Sequence, residues 1–296
     1  MNKNKIVKII ALVVAIVLIV GIGVFANALV GNSVSKYLAK NSAEKVIEEN
    51  HPDKDFYIER VFYSFKDGFY HITVNSPSSP DSKFTIMSNF VGKVCLNTYD
   101  DVVNNKRNTA ERLWKEYRDV TDKVLESSAF PYKTYIAYGD IEFRDRKSIG
   151  IDDMLPDYGI VTDTLELDAY YDIMELGKKA GHIVLYVYDE NVSVDRLCEV
   201  LLGVKNILNK SGIEFYAIDC VIEYPKPEND GEEHKEGRVE VQNFLCEDIY
   251  EKGLAKRVIE ANRKAREYHV KQDELKQQEI EAYQKALKEE ENHKNQ

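Results

Sequence analysis

The chain begins with Lys3, Lys5 and Lys8 and then runs from residue 9 to residue 26 (IIALVVAIVLIVGIGVFA) without one charged or polar side chain. As a helix those 18 residues measure roughly 27 Å, and continuing to residue 30 gives roughly 33 Å. A hydrocarbon core of about 30 Å is spanned by that length. The pattern therefore predicts a transmembrane helix over residues 9–30 behind a short N-terminus, residues 1–8. A cleaved signal peptide is the alternative, because Ala26-Asn27-Ala28 has the small-residue form of a cleavage site. The apolar run is longer than the usual hydrophobic region of about 7–15 residues in such peptides. The lysines ahead of the run predict a cytoplasmic N-terminus and an extracytoplasmic C-terminal part, that is, a signal-anchored, single-pass protein of the cell membrane.

Beyond the run the periodicity changes several times. Val34, Tyr37, Leu38, Val46 and Ile47 are spaced for one face of a helix over residues 33–50. Val61, Tyr63 and Phe65 alternate with polar positions, Asp67-Gly68 supplies turn chemistry, and Tyr70, Ile72 and Val74 alternate again, which is the pattern of a β-hairpin. Two further strands are expected near residues 84–86 and 91–96. A helix then starts near Asn108, with Glu111 placed to complete a capping box. This order predicts an α+β domain over residues 33–128.

A second α+β domain is expected over residues 130–246. It starts with a strand at 135–143 and an acidic loop holding Asp152, Asp153 and Asp157, followed by a helix at 167–179 stopped by Gly181. The strand HIVLYVY (182–188), a helix capped by Ser193 with Val194, Leu197, Leu201, Val204 and Leu208 on one side, and a strand at 213–224 make a βαβ unit with parallel strands. A last strand at 238–244 precedes a charged helical tail over 247–296 whose apolar seam is weak.

Charge removes one class of partner. Residues 31–248 hold 26 basic against 41 acidic residues, a net of −15 within a whole-chain net of −11. Such a surface repels phosphate backbones, so no nucleic acid is expected as a partner. Cys95, Cys198, Cys220 and Cys246 have no CxxC spacing; four separate buried thiols and a Cys220–Cys246 bridge are both compatible with the sequence.

The tests for chemistry fail on required members. Ser33-Val34-Ser35-Lys36 and Ser42-Ala43-Glu44-Lys45 fit S-x-x-K, but the accompanying S-D-N and K-T-G elements are absent. His51, His71, His182, His234, His269 and His293 form no HxH or HxxxH pair, so no metal ligand set is predicted. Asp189, Asn191, Ser193 and Asp195 imitate the start of a calcium loop without its Gly and Glu. The sole G-x-G, Gly21 and Gly23, lies inside the apolar run, so no cofactor is expected. No catalytic residue is assigned. One segment stands out as a binding loop: Ser76, Pro77, Ser78, Ser79, Pro80, Asp81 and Ser82, in which two prolines reduce the ordering cost of engaging a partner.

The segments VNSPSSPDSKFTI (from Val74), YDDVVNNKRNTAERLWKEYRDV (99–120) and FYAIDCVIEYPK (215–226) behind one apolar N-terminal run resemble the YfjL-like proteins. The resemblance covers most of residues 1–226. It implies bacterial, membrane-anchored proteins with an N-terminal and a C-terminal domain, and it brings no activity with it. The expected function is a membrane-tethered, extracytoplasmic binding or scaffolding module that contacts the membrane through residues 9–30 and a protein or cell-envelope partner elsewhere. The alternative is an extracytoplasmic hydrolase whose site assembles from residues distant in sequence.

Overall fold

The computed structural model describes residues 3–145, 158–226 and 236–294. Contacts divide the chain into two compact units, Met1–Arg112 with Thr162–Ala169, and Leu113–Val161 with Tyr170–Gln296. The expected acidic loop at Asp152, Asp153 and Asp157 lies outside the described residues.

In the first unit, α1 (Lys3–Val30) is the helix that the apolar run predicts. Its expected role as a membrane span is corrected: among the described residues no helix is long and apolar enough to cross a membrane. The helix itself stands over Lys3–Val30, as the apolar run predicts; what is corrected is its assignment as a membrane span. The transmembrane helix over 9–30, the single-pass and signal-anchor assignment, and the cell-membrane localisation with an extracytoplasmic C-terminal part are corrected with it.

The rest of this unit is a four-stranded antiparallel meander, β1 (Tyr57–Ser64), β2 (Phe69–Asn75), β3 (Phe84–Ser88) and β4 (Val94–Asn97), ordered as in the chain. The hairpin has the register that alternation predicts, with Val61 opposite Ile72 and Tyr63 opposite Tyr70. Packed on the sheet is α2 (Ser33–Asn50), by a face that shares only Val46 and Ile47 with the expected one. Ser35, Ala39, Ala43 and Ile47 are buried, whereas Val34 and Tyr37 are 70% and 63% exposed. Small residues at four-residue spacing let the helix axis approach the sheet closely, and Ile72, Val74, Phe84 and Ile86 fill the contact from the other side. Asn108 also departs from expectation. Instead of capping α3 (Arg107–Leu125), its side-chain amide donates to the carbonyls of Asp81 and Lys83 at 2.7 and 2.6 Å.

The boundary between the units falls within α3, between Arg112 and Leu113. The second unit holds a four-stranded sheet in the order β10 (Arg238–Leu245), β9 (Ala217–Glu223), β8 (Gly181–Tyr188), β5 (Thr134–Ile141), and a two-stranded piece, β6 (Phe143–Arg144) with β7 (Ile160–Val161). As predicted, β8 and β9 are parallel and joined by α5 (Val194–Lys210), whose N-cap Ser193 accepts from the Arg196 N–H at 3.2 Å. Leu197, Val200, Leu201, Val204 and Leu208 are fully buried, as are Ile183, Leu185, Ile218 and Ile222 of the central strands. Each such side chain contributes about 1.5–3 kcal/mol by leaving water.

Gly181 does not act as a left-handed helix stop. It has φ −69 after α4 (Ile173–Ala180), and its glycine is required for space, since a Cβ there would lie 2.7 Å from the Tyr117 hydroxyl. The tail is one helix, α6 (Leu254–Lys294), which buries Leu254 and Val258 and leaves Ile259, Val270, Ile280 and Tyr283 exposed. The four cysteines are free thiols; Cys220 is buried, and Cys95 is exposed, contrary to expectation.

The α2 contact makes a direct prediction for stability in urea. Ala43→Leu, which overfills a side chain position of 0% exposure, is expected to destabilise by roughly 1–3 kcal/mol. Tyr37→Ala, on the exposed side, is expected to change stability by less than about 0.5 kcal/mol. The opposite ranking would mean that α2 packs by its large residues.

Candidate functional site

The loop singled out in the sequence joins β2 to β3 and divides into an exposed tip and a buried foot. Pro77, Ser78 and Pro80 are exposed, Ser76 and Ser79 half-buried, and Asp81 and Ser82 buried. Asp55 holds the near side of the tip: its carboxylate accepts from the Ser76 hydroxyl at 2.5 Å and from the Ser78 N–H at 3.1 Å. These hydrogen bonds hold the Asp55 carboxyl below its ordinary range. Across the turn, the Ser79 hydroxyl donates to that of Ser82 and the Ser82 N–H to the Ser79 carbonyl.

The foot is built round a buried charge. Asp81, 2% exposed, accepts two hydrogen bonds from Arg112, Nε to Oδ1 at 2.8 Å and Nη2 to Oδ2 at 3.0 Å. It exchanges backbone and side-chain bonds with Asp168: the Asp81 N–H donates to Asp168 Oδ1 at 2.9 Å, and the Asp168 N–H to Asp81 Oδ2 at 3.1 Å. Arg112 Nη2 also donates to the Ala169 carbonyl at 2.9 Å. Burial alone would push the Asp81 carboxyl up, but the donors from Arg112 and Asp168 outweigh it and hold the carboxyl below its ordinary range. Asp81 and Ser82 thus anchor the loop, and Pro77, Ser78 and Pro80 face solvent.

A second constellation, in the other unit, was not singled out in the sequence. His182 sits near the start of β8, 7% exposed, between two carboxylates. Its Nδ1 lies 3.0 Å from Glu142 Oε1 in a hydrogen bond. Its Nε2 lies 3.0 Å from Asp219 Oδ1, an ion-pair contact whose angle falls outside hydrogen-bond geometry. Asp219 Oδ1 also accepts the Asn243 N–H at 2.6 Å, where β10 bulges and Asn243 takes φ +49. The Tyr158 hydroxyl, 3.2 Å from Asn243 Oδ1, and the Tyr158 ring, edge-on to His182, close the cluster. Burial opposes the imidazolium, but the flanking Asp219 and Glu142 carboxylates more than offset it, and the ring's pKa rises to about 9.

With carboxylates facing both ring nitrogens the imidazolium form is favoured, and that form offers no lone pair for general-base work. Among the described residues no group of three or more His, Cys, Asp or Glu side chains could hold a metal ion. The signal in the sequence was a charged residue within an apolar strand, Asp219 in AIDCVIE. The other members, Glu142 and His182, come from different parts of the chain and meet only in the sheet.

Two family matches decide the chain's relationship: the YfjL-like N-terminal domain over residues 6–98 and the YfjL-like C-terminal domain over residues 116–260. The chain belongs to the YfjL-like family. Asp81 lies within the first match and the His182 clamp, Glu142, His182 and Asp219, within the second, whereas Arg112 lies between the two. No curated protein matches. Among solved structures the chain is similar to a DUF5037 family protein from Ruminococcus gnavus ATCC 29149, at 10% identity over 62% of this chain and 74% of that one. The TM-score of 0.20 is too low for that likeness to carry an argument.

The clamp predicts a pH dependence with a defined sign. An ordinary histidine titrates near 6.5, and the folded-state pKa of His182 is about 9. The clamp's stabilisation is therefore fully present below about pH 6.5 and is lost as pH rises through about 9, a total on the order of 3 kcal/mol. Urea unfolding from pH 6 to pH 10 should show this loss in the native chain and not in His182→Gln. Parallel curves for the two proteins would remove the charged clamp.

Proposed function

We propose that the chain is a non-catalytic binding or scaffolding module that engages a protein or cell-envelope partner through the tip of the 76–82 loop. The observation that carries this reading is the contrast between an exposed tip (Pro77, Ser78, Pro80) and a foot fixed by Asp81, Arg112 and Asp168. A surface loop held in one conformation before binding loses less entropy on contact than a mobile one, which raises affinity without new contacts. Exposed loops on rigid supports are also where recognition concentrates. The His182 cluster fits the same reading, because its groups satisfy one another instead of presenting reactive atoms to a substrate.

The test uses the full chain in its native cells with a photo-crosslinking residue at Ser78 or, as a control, at exposed Ser211. A discrete adduct from position 78 and none from position 211 is expected. Combining the position-78 probe with Arg112→Met, which strands the Asp81 charge and frees the foot, should reduce that adduct at least tenfold. Equal labelling from both positions would reject the loop as a docking site. If His182→Gln instead abolishes the cellular phenotype while folded protein persists at neutral pH, a hydrolase reading replaces this one.

A further inference from the structure

In the first unit a cleft of about 650 Å³ opens beside the junction of α1 and α2. Its volume lies in the range of ligand sites, about 300–1,000 Å³. One wall is preformed. Gly31 takes φ +71 and is pressed so closely on two tyrosines that a Cβ would lie 2.6 Å from the Tyr70 hydroxyl and 2.8 Å from the Tyr63 ring. The Asn32 N–H donates to that Tyr70 oxygen at 2.8 Å, and the Tyr70 hydroxyl donates to the Asn32 carbonyl at 3.2 Å. The junction is therefore tied to β2 by two hydrogen bonds and cannot accept a side chain at residue 31.

Two cations line the cleft, Lys36 in the first turns of α2 and Arg60 on β1. Neither has a carboxylate partner among the described residues. The guanidinium carbon of Arg60 rests 4.7 Å above the Phe62 ring, a cleft residue. The one carboxylate of the lining, Glu59, lies 3.9 Å from Lys83 Nζ. Residues 31–112 of the same unit hold 11 basic and 11 acidic residues, and the cleft departs from that balance, with two cations against one carboxylate that itself faces Lys83. Val30 and Phe62 add apolar area next to them. Holding two uncompensated cations at one concave site is unfavourable by mutual repulsion and becomes favourable when an anion enters.

We propose that this cleft binds an anionic, phosphate-type headgroup carried on an apolar body, with Lys36 and Arg60 on the phosphate and Val30 and Phe62 against the body. Arginine meets phosphate oxygens through two parallel N–H donors and lysine as a point charge, which together suit a phosphate monoester. The proposal deepens the binding-module reading and rests on it, with a small ligand in addition to the macromolecular partner.

Calorimetric titration of the full chain with three probes at low ionic strength tests it: octyl phosphate, inorganic phosphate and the uncharged octyl glucoside. Octyl phosphate is expected to bind, and the Lys36→Ala/Arg60→Ala double variant to bind it at least tenfold more weakly. Both side chains are exposed, so unchanged thermal unfolding should confirm that the double variant is folded; Lys36→Arg, which keeps the charge, should stay within about threefold of the native chain. Binding of inorganic phosphate with equal strength and the same dependence on Lys36 and Arg60 would support the anion site and assign it to free phosphate. Equal binding of octyl glucoside, no binding of either phosphate probe, or an unaffected double variant would overturn the proposal. Crosslinking from Ser78 is read separately, so failure here leaves the loop reading standing and failure there leaves this one.

Discussion

One buried carboxylate organises the first unit. Asp81 is almost without solvent, and a charge in that position is tolerable only if its hydrogen-bonding capacity is filled. Arg112 from α3, Asp168 from a segment far along the chain, and the backbone of the loop itself supply the donors. The loop and the segment around Asp168 are short and irregular, and Arg112 reaches them from the regular helix α3. The penalty for stranding the charge, about 3–5 kcal/mol when one partner of a buried pair is removed, is what keeps them together. The exposed tip of the loop has its shape because its foot has no freedom.

The second unit solves a similar problem with an opposite sign. His182 would be neutral if burial alone decided, and it is charged because Glu142 and Asp219 converge on it from two other elements. Both constellations are ionic knots that hold segments in register. In both, the charged groups face one another, and the proposed partner contact is placed on the surface that one of them supports.

How much of this was legible in the sequence follows from the range of the interactions. The 61–74 hairpin and the β8–α5–β9 unit were readable because alternation, turn residues and a cap each act within a few residues. The face of α2 was legible only at Val46 and Ile47, because the rest of its contact is made by Ser35, Ala39 and Ala43, which a search for large apolar residues passes over. Asn108 was misread because the carbonyls it serves belong to Asp81 and Lys83, more than twenty residues earlier. The apolar run at the N-terminus is helical as expected, while its reading as a membrane span was not sustained. Of the candidate site, the prolines and serines of the loop were visible as a composition. The Asp81–Arg112–Asp168 foot and the His182 clamp were not, since their members are separated by tens of residues and only the fold brings them together.

The return of Thr162–Ala169 to the first unit also bears on how the protein is made. A nascent chain that has emerged as far as Arg112 holds the cationic half of the buried pair and lacks Asp168, its third member. At about 5–20 residues per second, the ribosome takes several seconds more to deliver that residue. During this interval the four-stranded meander exists without its final clasp, and the 76–82 loop has yet to acquire its fixed foot. Completion of the first unit thus waits on sequence that lies beyond β5 and the first strands of the second, so synthesis order and folding order are interleaved along this chain.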